Sequence, residues 1–206
     1  MSKHKYLILI GGAPTTGKST IAKQLAKELE IPWISTDQIR SLAQNIVSEF
    51  STEDTDLLLA KKLGAEKYYS KFNVREIAEQ EIKESEAIFK YLKHFIESSY
   101  PWKSFIVEGV NVLPELLNEL NFEGKIIPIF LVDANVDNAR KVIFERGLWG
   151  PAKSYSDAVK EKEVEWVGEF SKILISKCNE NNLPFFEISK DEKDIVTIIE
   201  HIKKEI

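Results

Sequence analysis

Short apolar runs alternate along the chain with segments whose apolar residues recur at helical spacing. The runs are YLILI (6–10), PWIS (32–35), SFIVEG (104–109), KIIPIFLVD (125–133) and LPFFEIS (183–189). Each is short, nearly continuous and bounded by glycine, proline or polar residues, which predicts strands buried on both faces. After the first run, Ile21, Leu25, Ala26 and Leu29 recur at the spacing of one helical face. Buried strands alternating with amphipathic helices predict an α/β fold, a parallel sheet covered by helices on both sides.

Two regions depart from this alternation. From Ser51 to Tyr100 there is no strand-like run. Asn73 has the chemistry of an N-cap for a long helix whose apolar side carries Ile77, Ala78, Ile82, Phe89, Leu92 and Ile96. Residues 51–100 therefore read as a helical insertion between the second and third strands. The segment ERGLWGPAKSYSD (145–157), with its glycines and proline, reads as a mobile loop joining two helices. No repeat, low-complexity tract or Pro/Gly-rich linker divides residues 1–206, so one domain is expected.

Composition narrows the function classes. At 43% hydrophobic and 30% charged residues the chain has the makings of a buried core, not of a disordered segment. A formal charge of −5 disfavours a broad nucleic-acid surface but permits a local basic pocket for a phosphorylated small molecule. The single cysteine, Cys178, excludes an intrachain disulfide and a multi-cysteine zinc site, and reads as a structural thiol in a helix. His4, His94 and His201 share no ligand spacing, so no metal site beyond a magnesium–nucleotide complex is expected. The YLILI run is too short for a signal-peptide core, and no run reaches the roughly 20 apolar residues that cross a bilayer. These features predict a cytoplasmic protein with a small-molecule substrate and no nucleic-acid or membrane partner. Oligomeric state is not legible.

The chemistry begins where the first run breaks. Gly12-Ala13-Pro14-Thr15-Thr16-Gly17-Lys18-Ser19 matches the phosphate-loop pattern G-x-x-x-x-G-K-[ST] at every fixed position, between a strand and a helix. Backbone N–H groups of such a loop converge on a β-phosphate, aided by the positive end of the helix dipole. Gly12 and Gly17 allow the backbone conformations and close approach this needs. Lys18 supplies charge to the β- and γ-phosphates, Ser19 a hydroxyl ligand for Mg²⁺, and Thr20 packs or bonds nearby. The stretch predicts binding of a nucleoside triphosphate. No N-K-x-D tetrad for guanine follows a later strand, which favours ATP, with its base near Ser189–Asp191.

The chain resembles the small P-loop kinases, a group that includes nucleotide, shikimate and gluconate kinases. Within it, GGAPTTGKSTIAKQLAKEL, ISTDQIR and FIVEGVNVLPELL resemble the 2-phosphoglycerate kinase family over about half the chain. That resemblance implies a three-layer P-loop fold with a five-stranded sheet in the order 2-3-1-4-5. It also implies a strand ending at Glu108 beside the phosphate-loop strand, a substrate-side helical insertion, and a lid bearing arginines. Where members of that family tend to have histidine, this chain has Asn111.

An acceptor hydroxyl needs a proton acceptor within hydrogen-bond reach. Asp37, just past the second strand, is the first candidate, and the resemblance implies contact with that hydroxyl; Thr36 or Asp37 would equally cap the helix QIRSLA. Arg40, three residues on, projects from the same side and can grip an acceptor carboxylate or phosphate. Arg75 is a weaker candidate for that duty. Glu108 is placed to hold Mg²⁺ through water or to orient the nucleophile, Gly109 to let the backbone turn beside the ligands, and Asn111 to bond the acceptor. In the lid, the resemblance implies arginines at the transferred phosphoryl or adenine: Arg146, next to the loop, suits the γ-phosphate, and Arg140 adenine or plain solvent, while Trp149 either seals a closed lid or packs in an open one. The leading expectation is an ATP:small-molecule phosphotransferase acting on an alcohol group, with a 2-phosphoglycerate-like acceptor in view. Its rivals are an ATP-dependent binding switch and a polynucleotide 5′-kinase.

Overall fold

Tyr6–Gly12 form β1, buried along its whole length. Its alternate residues face opposite ways, as the pleat requires: Leu7 and Leu9 enter one apolar cluster, Tyr6, Ile8 and Ile10 another. In this computed structural model, which describes residues 5–50, 56–98, 102–133, 135–189 and 192–206, four further strands complete the sheet. They are β2 (Trp33–Ser35), β3 (Phe105–Glu108), β4 (Lys125–Asp133) and β5 (Phe185–Ile188). All neighbours are parallel, in the order β2-β3-β1-β4-β5. The three-layer α/β fold and strand order expected above are thus observed.

Helices cover both faces. On one, α1 (Lys18–Leu29) and α8 (Glu192–Glu205) lay Ile21, Leu25, Ile198 and Ile202 on Ile8, Ile10, Ile106 and Ile129. On the other, α5 (Val74–Glu97), α6 (Val136–Arg146) and α7 (Asp157–Glu180) contribute Phe89, Leu92, Ile143, Phe170 and Leu174 against Leu9, Phe105, Val107 and Phe130. Cys178 is buried in this layer, and burial pushes its thiol up to about 12, where it is inert.

Between β2 and β3 the described residues form α2 (Thr36–Phe50), α3 (Asp56–Leu63), α4 (Ala65–Lys71) and α5. Gly64, at φ +72°, separates α3 from α4. Asn73 caps α5 through a reciprocal box: its side chain accepts from the Glu76 N–H, and the Glu76 carboxylate accepts from the Asn73 N–H. Ala43, Leu57 and Ile88 join α2, α3 and α5. Among the described residues no helix is long and apolar enough to cross a membrane.

Candidate active site

The loop after β1 is held from below. Gly12 lies against β4 so closely that a Cβ would meet the Leu131 carbonyl oxygen at 2.3 Å, and Ala13 N–H donates to that same oxygen at 3.0 Å. Its φ of +143° bears out the backbone freedom expected of it, and packing against β4 is a further reason for glycine here. Gly17 does the opposite. At φ +83° it starts α1, and nothing lies within 4 Å of where its Cβ would be. No side chain caps α1 and no acid occupies its first turn, so the positive end of the helix opens onto the loop.

Lys18 is buried and folded back, its Nζ donating to the Ala13 carbonyl oxygen at 2.6 Å; Thr16 Oγ1 donates to that oxygen as well, at 2.8 Å. Burial lowers the Lys18 ammonium to about 8, against the pull of Glu108, Asp37 and Glu81, and the nearby charge of Arg146 lowers it further.

The two neighbouring strands bring the carboxylates. Glu108, at the end of β3, is in register with Ile10 of β1 and Ser35 of β2. Ser19 Oγ donates to its Oε1 at 3.1 Å. Burial raises the Glu108 carboxyl above the usual range, opposed by its bonds to Ser35 and Ser19 and by the Lys18 charge. Gly109 follows at φ +150°, and a Cβ there would lie 1.7 Å from Thr36 Oγ1. The backbone turns at Gly109 because the start of α2 fills that space. That helix begins at Thr36, with Ser35 Oγ accepting from Asp37 N–H at 3.3 Å. Ser35 is therefore the capping side chain, in place of Thr36 or Asp37 as expected, and the Asp37 carboxylate is left to the cleft.

That cleft has a volume of about 920 Å³ and is lined by residues 14–21 of the loop together with Asp37, Arg40, Glu108, Gly109 and Arg146. Its far wall holds groups that no motif announced. Arg40 pairs with Glu81 (2.5 Å) and Glu84 (3.1 Å), both from α5. Gln44 Nε2 donates to Glu84 at 3.2 Å and to the Leu57 carbonyl oxygen at 2.9 Å. Glu84 is only 4% exposed, and burial beside Glu81 raises its carboxyl despite Arg40. Glu84 stands seven residues after Ile77 and four before Ile88, so the helical period puts this acid on the buried face; an acid at a buried position is the signal that sequence reasoning missed. Tyr68 and Tyr69 of α4 complete the wall, both met edge-on by Trp149 at 5.3 and 5.7 Å, and Trp166 Nε1 donates to the Tyr69 hydroxyl at 3.0 Å.

Three expected site residues lie elsewhere. Arg75 is 82% exposed and pairs with Glu79 one turn on, so it does not reach the cleft. Arg140 pairs with Glu161 of α7 on the surface, half exposed, and does not line the cleft. Asn111 is fully buried and turned to α5, its Nδ2 donating to Ser85 Oγ at 2.9 Å, a packing role in place of acceptor contact. Arg146, the last residue of α6, does line the cleft. The loop after it is pinned: Leu148 N–H donates to the Tyr155 hydroxyl at 2.8 Å, and that hydroxyl donates to Glu163 at 3.1 Å. Of the segment expected near the base, Lys190 and Asp191 lie outside the described residues. Ser189 N–H and Oγ both donate to Asp194 Oδ2 at 2.7 Å, and the nearby Ile188, Ile195 and Val142 line the cleft.

A family model described as isopentenyl transferase matches residues 5–124. The 2-phosphoglycerate kinases of Methanococcus maripaludis (strain C7) and Methanococcus vannielii are 27% and 28% identical over 201 and 198 residues. Each alignment covers 91% of this chain but 61% of the relative, so the chain spans about three fifths of the length of the curated relatives it matches. A shikimate kinase from Bacteroides thetaiotaomicron shares the fold, with a TM-score of 0.53 at 15% identity over 97% of both chains.

Proposed function

The chain belongs to the isopentenyl transferase family and is a small P-loop kinase-like protein; from that premise we propose that it is an ATP-dependent phosphotransferase, moving the γ-phosphoryl to a hydroxyl of a small metabolite. The observation that carries this reading is that Lys18, Ser19, Asp37 and Glu108, drawn from three adjacent strand ends, line one cleft. Phosphoryl transfer demands positioning and charge neutralisation more than covalent help, and this set supplies both.

In this reading the triphosphate lies over residues 12–19 at the open end of α1. The base lies toward Val142, Ile188 and Ile195, whose apolar side chains suit a purine face. Lys18 leaves the Ala13 carbonyl for the phosphates and gains the charge partner its burial denies it. Arg146 neutralises the transferred phosphoryl. Asp37 accepts or orients the proton of the attacking hydroxyl.

Ser19 Oγ and the Glu108 carboxylate, 3.1 Å apart, fit a magnesium ion held largely by phosphate oxygens and water. Among the described residues no cluster of three or more His, Cys, Asp or Glu is arranged to bind a metal by itself. Held there by Glu108 and Ser19, the ion would supply charge neutralisation to the phosphates.

The test is transfer of labelled γ-phosphate from MgATP to an acceptor panel, with Asp37→Asn as the diagnostic variant. A loss in kcat on the order of 10² with the KM for ATP little changed is expected. Phosphate released to water alone, whatever the acceptor, would support a nucleotide switch instead.

The family match favours a second reading, transfer of an isopentenyl group, in which the same loop holds a diphosphate and a carbon–oxygen bond breaks. Product analysis separates the two: a phosphorylated acceptor with ADP, or an alkylated acceptor with released diphosphate. Tyr68, Tyr69 and Trp149 would suit a hydrocarbon chain, but it would also strip water from Arg40, Glu81 and Glu84 beside them, and phosphoryl transfer is preferred on that ground.

A further inference from the structure

Of the two arginines that line the cleft among the described residues, Arg146 is assigned above to the transferred phosphoryl and the other is already engaged. Arg40 is the guanidinium that would grip a phosphate or carboxylate on the acceptor, yet Glu81 and Glu84 hold it at 2.5 and 3.1 Å. An anionic acceptor would have to displace at least one of these carboxylates, leaving it buried without its cation. It would also lie against Asp37 on the same wall. Lys61 also lines the cleft, but it is exposed and hydrogen-bonded to Asn45 Oδ1, so water screens its charge and it is a weaker anion partner than Arg40.

A cation meets the reverse situation. Asp37, Glu81 and Glu84 face that end against the guanidinium of Arg40. Glu84 is held in place by Gln44 and paired with Arg40, and burial together with the neighbouring Glu81 charge raises its carboxyl, a cost that a further cation would offset. Independently, Tyr68, Tyr69 and Trp149 line the same space as an edge-to-face cluster. Aromatic faces next to carboxylates attract ammonium groups through the ring quadrupole as well as by charge.

Resting on the phosphotransferase reading above, we infer that the acceptor is an amino alcohol: a small hydroxyl compound whose protonated amine is taken by Glu81, Glu84 and the aromatic wall. Its hydroxyl then points to Asp37 and the loop. A phosphorylated hydroxy acid such as 2-phosphoglycerate is disfavoured by the same groups. In the transfer step the acceptor oxygen bonds to the γ-phosphorus, the bond from that phosphorus to the β,γ-bridging oxygen breaks, ADP leaves, and the hydroxyl proton passes to Asp37 or water.

The experiment measures binding and transfer separately. Quenching of Trp149 and Trp166, which both line the cleft, is titrated with matched probes: glucosamine, glucose and gluconate on a hexose frame, and 2-amino-1-phenylethanol, 1-phenylethanol and mandelate on an aromatic one. 2-Phosphoglycerate is added as the phosphorylated acid. The amine is expected to bind about tenfold or more tightly than the acid in each series, and 2-phosphoglycerate to bind weakest. Glu81→Gln and Glu84→Gln each remove one of the two carboxylates that hold Arg40 and are expected to shift that preference about tenfold toward the acid. The more exposed Glu81 variant serves if the buried one does not fold.

An acid that binds as well as its amine, amines that fail to bind at millimolar concentration, or a preference untouched by Glu81→Gln would each overturn the inference. The kinase reading has its own readouts. Efficient phosphorylation of 2-phosphoglycerate would sink the amino-alcohol assignment and leave a kinase, whereas failure to bind MgATP in the same titration would sink both.

Discussion

Replacing Lys18 with methionine is expected to make the nucleotide-free protein more stable while disabling it. The folded lysine is held at about 8, against 10.5 for an unhindered one, chiefly by burial. That gap amounts to about 3 kcal/mol set against the protonated form. The folded value lies below the unfolded one, so the cost is present in full below about pH 8, fades as pH rises, and is gone above 10.5. Methionine keeps the length and apolar stem but carries no charge. It forfeits the hydrogen bond to the Ala13 carbonyl, worth about 1 kcal/mol, although Thr16 Oγ1 still satisfies that oxygen. The balance is about 2 kcal/mol in favour of the variant at pH 7, or about 4–8 °C in Tm for a chain of this size. Thermal unfolding followed by circular dichroism, at pH 7 and near pH 10.5, with and without MgATP, reads all of this. The variant should melt higher at pH 7, lose that advantage in alkali and fall by up to about 1 kcal/mol below the wild type there, gain little from MgATP, and lose transfer by a factor on the order of 10² or more. A variant that melts below the wild type at pH 7, or a gap that does not close in alkali, refutes the burial argument.

Gly109→Ala places a Cβ 1.7 Å from Thr36 Oγ1 at φ +150°, and should lose about 2–4 kcal/mol in urea unfolding. Adding Thr36→Ala should recover part of that loss, and no recovery would mean backbone strain alone is responsible. Arg75→Ala should leave kcat/KM within about twofold, as befits an exposed i,i+4 pair, whereas Arg146→Ala should lower kcat on the order of 10²; the opposite ranking would show that the lid is misread. Burial raises the Glu163 carboxyl to about 7, so its ionised form costs stability above that pH and the cost disappears as pH falls toward 4.5. Thermal melts between these values should show wild-type stability rising on acidification from this source, and Glu163→Gln should flatten the rise.

The strands and the phosphate loop are legible in the sequence because their signals are local. A continuous apolar run in an alternating chain has few alternatives to a buried strand, and the loop needs fixed glycines and a lysine at fixed offsets. The Asn73 cap is legible for the same reason, since a box spanning residues 73–76 is decided within one helical turn. The acceptor wall is not, because its residues meet only across helices. Spacing alone leaves Arg40 free for substrate; its partners lie 41 and 44 positions away, on a helix whose packing no local pattern fixes. Arg75 and Arg140 fail for a related reason. Spacing says which residues share a helix side, but not whether that side meets the cleft or solvent.

The strand order is what turns separate motifs into one site. The phosphate loop, the ISTDQIR segment and the VEGV segment are far apart in the chain, and each alone has a mundane explanation. Pairing β3 with β1 in the register Ile10↔Glu108 sets the glutamate beside Ser19; pairing β2 with β3 at Ser35↔Glu108 brings α2, and with it Asp37 and Arg40, to the same edge. Because all these strands are parallel, their carboxyl ends open on one side, the side where α1 presents its uncapped amides. A register slip of one residue in β3 would send Glu108 to the opposite face of the sheet, into the apolar cluster that holds Phe105 and Val107, or bring Gly109 in its place. The buried runs Phe105-Ile106-Val107 and Leu7-Ile8-Leu9 resist such a slip, since both faces of the sheet are covered and every side chain would change layer. Core packing in the strands thus fixes the position of the carboxylate, and the chemistry proposed for the cleft depends on that packing as much as on the residues that line it.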